Sequence, residues 1–140
     1  VYMPGGYVYN CHYHLIWVTK YRKQIFIDND KCQAMIDLLT KIAKLNNITI
    51  EEIKVMPEHI HLMISFPPKL SITNVVKAFK GGSARLWFKK YPETKALLWG
   101  GHLWSRSYYI GTVGNMSKEV VKRYIQSQRS SKSNSGRKKA

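Results

Sequence analysis

The stretch Val55-Met56-Pro57-Glu58-His59-Ile60-His61-Leu62-Met63-Ile64-Ser65-Phe66, closed by Pro67-Pro68, constrains the fold more than any other part of the chain. Apolar residues alternate through it with a period of two, the signature of a β-strand with one buried face. Ile60, Leu62, Ile64 and Phe66 form the core face. His59, His61, Met63 and Ser65 share the other, so two imidazoles stand side by side on a surface that is not the main core. Histidine is the commonest side-chain metal ligand, and neighbouring same-face positions of a strand can bring two imidazoles to one ion. A His-x-His strand is equally compatible with two half-buried sheet residues, so the motif needs support from elsewhere in the chain.

The preceding residues supply the pairing partner. Ile48 to Met56 reads as a strand and Pro57-Glu58 as a tight turn, which together make a hairpin with the histidine strand. Upstream, Tyr7 to Lys20 is rich in Tyr, Val, Ile and Trp and is expected to be the first strand, with Tyr13, Leu15 and Trp17 on one face and His12, His14 and Ile16 on the other. After the capping material Asp28-Asn29-Asp30, apolar residues recur at Met35, Ile36, Leu38, Leu39, Ile42, Ala43 and Leu45, the spacing of a helix that Asn46-Asn47 stops. Ser71 caps a second helix that runs to Tyr91-Pro92. It contains Gly81-Gly82, which cost a helix about 2 kcal/mol relative to alanine and imply a bend or a close approach of other groups. Leu103 to Val113 reads as a fourth strand, Gly114-Asn115 as a turn, and Lys118 to about Gln128 as a last helix capped by Ser117.

The order β-α-β-β-α-β plus one helix implies an α+β, ferredoxin-like fold: a four-stranded antiparallel sheet with two helices on one face. A chain of 140 residues that is 44% hydrophobic supports one such domain. We place it at residues 1–128, with 1–6 as a loose lead-in and 129–140 as a basic tail expected to be disordered.

Charge then narrows the class of partner. The chain carries 23 Lys and Arg against 8 Asp and Glu, a net +15, and residues 1–128 retain +10 without the tail. Such a balance points to nucleic acid or an anionic surface. No apolar run is long enough to span a membrane, and no secretory pattern opens the chain. Cys11 and Cys32 are too few for a disulfide framework, so reduced thiols and a cytoplasmic location are expected. Candidate phosphate contacts are Lys20, Arg22 and Lys23 after the first strand, and Lys77, Lys80, Arg85, Lys89 and Lys90 on the second helix. Tyr21, Trp99 and Trp104 are candidate stacking partners for bases.

On the last helix Tyr124 and Gln128 are four residues apart and therefore lie one turn apart on the same side. Together with Met56-Pro57-Glu58-His59-Ile60-His61-Leu62, Phe79-Lys80-Gly81-Gly82-Ser83-Ala84-Arg85, Leu98-Trp99, Leu103-Trp104-Ser105-Arg106-Ser107-Tyr108, Gly114-Asn115 and Lys122-Arg123-Tyr124-Ile125-Gln126-Ser127-Gln128, the chain resembles the single-tyrosine transposases of the IS200/IS605 insertion sequences. These enzymes belong to the His-hydrophobic-His class that cuts single-stranded DNA. The resemblance runs in order from about Tyr7 to Gln128.

It implies that His59, His61 and Gln128 hold a divalent metal, Mg²⁺ or Mn²⁺, and that Tyr124 is the nucleophile, forming a 5′-phosphotyrosine and releasing a 3′-OH. It further implies recognition of DNA hairpins near the element's ends, and a homodimer in which each tyrosine helix completes the partner's site. A second pair, His12 and His14, has the same spacing but lacks the Pro-Glu lead-in and is not the expected metal pair. Glu58 either orients an imidazole or solvates the turn.

Two other classes compete. A non-enzymatic RRM-like module that binds single-stranded nucleic acid shares the βαββαβ plan, but its basic-Gly-aromatic signature is absent. A metal-dependent hydrolase using water would not need Tyr124. Within the same chemistry, a related tyrosine nuclease that processes repetitive palindromic elements also fits.

Overall fold

The computed structural model describes residues 2–3, 7–8, 12–112 and 118–128. The Pro4-Gly5-Gly6 lead-in, the Gly114-Asn115 turn, the Ser117 cap and the tail beyond Gln128 lie outside the described residues.

Two short strands, β1 (Tyr2–Met3) and β2 (Tyr7–Val8), pair with each other. The main sheet has four strands: β3 (Tyr13–Val18), β4 (Thr49–Met56), β5 (His59–Ser65) and β6 (Tyr109–Thr112). Their spatial order is β4-β5-β3-β6, with every neighbouring pair antiparallel. Helices α1 (Asn29–Leu45) and α2 (Ile72–Lys90) complete the ferredoxin-like arrangement, and α3 (Lys118–Ser127) follows the last strand.

Local signals place these elements. Asp28 caps α1 by accepting the Lys31 amide at 2.8 Å, and Ser71 caps α2 by accepting the Asn74 amide at 3.1 Å. Asn47 ends the first helical unit in the left-handed region, with φ 60°. The core face of the sheet is Leu15 and Trp17 on β3 and Ile60, Leu62 and Ile64 on β5, all fully buried against Met35, Leu39, Val75, Phe79 and Trp87 of the two helices. Tyr13 stacks on Phe66 with ring centroids 5.3 Å apart, so the expected face assignment of both strands holds.

Gly82 explains half of the glycine pair. A Cβ there would meet Ile42 Cδ1 of α1 at 3.1 Å, so the close approach is between the two helices and α2 continues through it. At Gly81 a Cβ would meet nothing within 4 Å.

The first and fourth strands are shorter than expected. β3 begins only at Tyr13, and Tyr7–Val8 belongs to the separate pair. The Leu103 to Val113 stretch is broken because its two ends pair with β3 out of step. Tyr109 lies opposite Ile16, whereas Trp104 bridges to Thr19, which leaves four residues opposite two. Ser105 N still donates to Val18 O at 2.9 Å, and the surplus backbone of residues 105–107 turns its carbonyls to Lys80.

Candidate active site on the histidine face

The face of the sheet away from α1 and α2 carries His14, Ile16 and Val18 of β3 and His59, His61 and Met63 of β5. Ile16 and Val18 are fully buried even though they stand outside the main core cluster, and α3 contacts β3. The tyrosine helix thus lies on the same side of the sheet, at β3 and β6.

Strand register fixes the imidazoles. Ile16 lies opposite His61 and Val18 opposite His59, so His14 reaches His61 diagonally. His14 Nδ1 and His61 Nε2 are 2.8 Å apart, sharing one proton. Burial, then the neighbouring His14, Lys54 and His59, push the His61 imidazole from its ordinary 6.5 down to about 4 against an opposing pull from Glu52. His61 is therefore neutral at pH 7, the form that binds metal. At the start of β5, His59 Nδ1 donates to Glu58 Oε1 at 3.0 Å, which leaves Nε2 as the ring's lone-pair nitrogen. Glu58 orients an imidazole, the first of the two roles open to it in the sequence. His12 is drawn elsewhere, donating from Nδ1 to Glu51 at 2.7 Å.

A second polar group forms around Ser107. Ser107 Oγ donates to Gln128 Oε1 at 2.8 Å and lies 3.1 Å from the Tyr124 hydroxyl; Ser105 Oγ also donates to Gln128 Oε1, at 3.3 Å. Because a serine hydroxyl has one proton, the phenol is the donor in the Tyr124–Ser107 bond. Burial pushes the Tyr124 phenol above its usual value of 10, and the Ser107 hydroxyl, which can turn to a phenolate, draws it partway back. The Tyr124 ring packs on Tyr109, 5.9 Å between centroids. The far end of α3 is held by Arg22, whose Nη1 donates to Ile125 O at 3.2 Å and Gln126 O at 3.4 Å, a cation at the helix's negative pole. Tyr21 and Arg22 adopt left-handed backbone angles, φ 58° and 53°, to make this turn.

Among the described residues no three His, Cys, Asp or Glu side chains gather in metal-binding geometry. Two imidazoles on this face and, apart from them beside Tyr124, the amide oxygen of Gln128 that accepts from Ser105 and Ser107 are the available donors, nitrogen and oxygen types that suit a divalent cation. The residues fit such an ion chemically.

Comparison with known proteins gives the family of the chain. The family model for IS200-like transposases matches residues 7–128. The ISDra2 transposase TnpA of Deinococcus radiodurans is 44% identical over 123 residues, covering 88% of this chain and 87% of the relative. The chain belongs to the IS200/IS605 transposase family. The IS200 transposase of Salmonella typhimurium is 31% identical over 112 residues, 80% of this chain and 73% of that relative. Among solved structures, a candidate transposase from Deinococcus radiodurans superposes with a TM-score of 0.87 at 38% identity, over 94% of this chain and all of the other. A REP-associated tyrosine transposase bound to a REP hairpin shares the fold, with a TM-score of 0.52 at 13% identity, over 89% of this chain and 68% of the other.

Within this transposase-family chain, His59 and His61 stand on one face of β5, and Tyr124 and Gln128 meet at Ser107. The described hydrogen bonds of the two groups do not join: Tyr124 packs over Tyr109 of β6, two strands away from β5. Of the candidate DNA contacts, Lys77, Arg85, Lys89 and Lys90 are exposed on α2, while Lys20 lies over the Tyr21 ring at 5.4 Å and Lys23 is half-buried. Arg22 is engaged with α3, and Lys80 donates to the carbonyls of Ser105, Arg106 and Ser107 at 2.8, 3.2 and 3.0 Å. Trp99 is exposed, but Trp104 is a core residue whose Nε1 donates to Ser83 Oγ at 3.0 Å, which removes it as a stacking surface.

Three contributors went unassigned in the sequence: His14, Ser105 and Ser107. The serines sit within the Leu103–Tyr108 motif, where their alternation was the available signal. The histidine needed the β3–β5 register to be seen as a partner of His61.

Proposed function

We propose that this transposase cuts and rejoins single-stranded DNA at the ends of an insertion element, using Tyr124 as nucleophile. The observation that carries the reading is the convergence of Tyr124 and Gln128 on Ser107, on a helix that lies on the side of the sheet bearing His59 and His61.

The Tyr124 hydroxyl gives its proton to solvent as its oxygen attacks phosphorus, the bond to the 3′ oxygen breaks, and that oxygen takes up a proton and leaves as a 3′-OH. The product is a 5′-phosphotyrosine, which keeps the energy of the broken bond so that a later 3′-OH can reseal the strand without ATP. Ser107 holds the phenol in place and can hydrogen-bond the phenolate as it forms. Glu58 fixes the ring of His59, and His14 fixes that of His61. A divalent ion, Mg²⁺ or Mn²⁺, bound by His59, His61 and Gln128 would neutralise the charge on the phosphate oxygens. The exposed cations of α2 supply backbone attraction in a chain of net charge +15.

Recognition of hairpins near the element's ends fits the family, and the REP-associated relative of the same fold is bound to a hairpin. The working unit in this reading is a cytoplasmic homodimer. The separation of Tyr124 from the histidines within one chain favours a partner's tyrosine helix completing each site.

The test is incubation with labelled single-stranded and double-stranded DNA from the flanks of the coding region, with Mg²⁺ or Mn²⁺, followed by a denaturing gel. A covalent adduct on single strands only, lost in Tyr124→Phe while binding persists, supports the tyrosine mechanism. Cleavage without an adduct assigns water as the nucleophile, and binding without cleavage supports a recognition module.

A further inference from the structure

On the far side of the 105–108 segment from Tyr124 lies an open groove of about 280 Å³ between that segment and α2, lined by residues that include Thr73, Lys77, Lys80, Gly81, Arg106 and Tyr108. The segment alternates. Ser105 and Ser107 present their hydroxyls to Gln128 and Tyr124, whereas Arg106 and Tyr108 line the groove. Lys80 pins the backbone between them through three carbonyls.

We propose that this groove binds one unpaired nucleotide of the DNA strand, its phosphate at Lys77 and Arg106 and its base against Tyr108. This rests on the single-stranded DNA reading above. The lining carries three cations and no acid. Lys80 spends its protons on carbonyls, which leaves Lys77 and Arg106, both exposed, for an anion. Tyr108 is 37% exposed, a large aromatic surface beside those charges, and pairing of aromatic faces with cations is how proteins hold single strands without reading sequence. The volume is just below the range usual for small-ligand sites, about 300–1,000 Å³, and suits one nucleotide rather than a duplex.

Gly81 is an independent observation. Glycine inside a helix costs about 1 kcal/mol relative to alanine, and Gly82 is accounted for by Ile42. Gly81 touches no neighbour that excludes a Cβ, yet it lines the groove. Its lack of a side chain is explained by what the groove must admit.

The experiment measures fluorescence anisotropy of a labelled 12-nucleotide dT strand on the Tyr124→Phe protein, alone and combined with Gly81→Met or Tyr108→Ala, together with the melting temperature of each. Gly81→Met is expected to melt at or above the parent temperature while its Kd rises at least fivefold, because the added side chain fills the groove without straining the helix. Tyr108→Ala is expected to weaken binding about fivefold or more, the loss of one base–aromatic stack, and to lose little on a strand made abasic throughout. Parent-like affinity in both variants would overturn the groove while leaving the single-strand reading intact. A parent protein that binds no single-stranded DNA would overturn both.

Discussion

Ser107 Oγ accepts the Tyr124 hydroxyl proton at 3.1 Å while giving its own proton to Gln128 Oε1 at 2.8 Å. One serine thereby sets the position of the proposed nucleophile and of a proposed metal ligand. Replacing it by alanine removes both bonds and the only described side-chain group that can turn to a Tyr124 phenolate. Under the tyrosine mechanism, Ser107→Ala lowers the single-turnover rate of adduct formation about 5- to 30-fold, the equivalent of about 1–2 kcal/mol. The pH at which that rate levels off moves upward, because burial alone then governs the phenol. An unchanged rate and pH profile would deny Ser107 this part.

The His59–Glu58 contact predicts metal affinity. A carboxylate that holds the far nitrogen of a metal-binding imidazole typically contributes 10- to 100-fold to affinity. Glu58→Ala is expected to weaken Mn²⁺ binding by about that factor in calorimetric titration, with Glu58→Gln in between because its amide oxygen still accepts from Nδ1. Equal affinity in all three proteins would return Glu58 to the role of a solvated turn residue.

The fold was legible in the sequence because its signals are local. Alternation in Val55 to Phe66, the caps at Asp28 and Ser71, and the spacing of apolar residues on α1 each state a choice that tertiary packing then respects. The catalytic candidates were legible through the His-x-His spacing and through the family likeness of the tyrosine helix. What the sequence withheld depends on register and on long-range partners. The break between Trp104 and Tyr109 follows from two β3 pairings that are out of step, and Lys80 became a backbone clamp because its ammonium met three free carbonyls there. Neither event leaves a periodic trace. Trp104 shows the same limit from the other direction, since an indole in a loop looks like a binding surface until Ser83 and Trp17 are found around it.

The lowered pKa of His61 makes stability depend on pH in a defined direction. The folded state resists the proton until about pH 4, whereas an unfolded imidazole takes it near 6.5. Between those values the unfolded chain binds more protons, so stability falls as the pH is lowered through this window. The contribution is complete above pH 6.5 and gone below about 4. Urea midpoints at successive pH values, set against His61→Phe, isolate the effect, and NMR titration of the ring reads the pKa directly. A midpoint that rises on acidification relative to the variant would contradict the buried, neutral imidazole.

Ser83 on α2 is the last test, and it concerns the platform beneath the site. Its hydroxyl is fully buried and accepts the Trp104 indole N–H at 3.0 Å while donating to Lys80 O at 3.3 Å. Trp104 in turn bridges to Thr19 at the end of β3 and leads directly into Ser105, so this one bond ties α2 to the segment that presents Ser105 and Ser107. Ser83→Ala leaves a buried indole donor without its partner, a loss of about 1–3 kcal/mol in chemical denaturation. Trp104→Phe removes the donor but also opens space in the core, adding a cavity cost of its own. The double variant is therefore expected to lose less than the two single losses added together, since the orphaned donor is counted once in the first and is absent from the last. Strict additivity would mean that the Ser83–Trp104 bond contributes nothing to holding the segment. In that case the position of Ser107 would have to be owed to the Lys80 clamp alone, which Lys80→Met would then reveal by a larger fall in adduct formation than in stability.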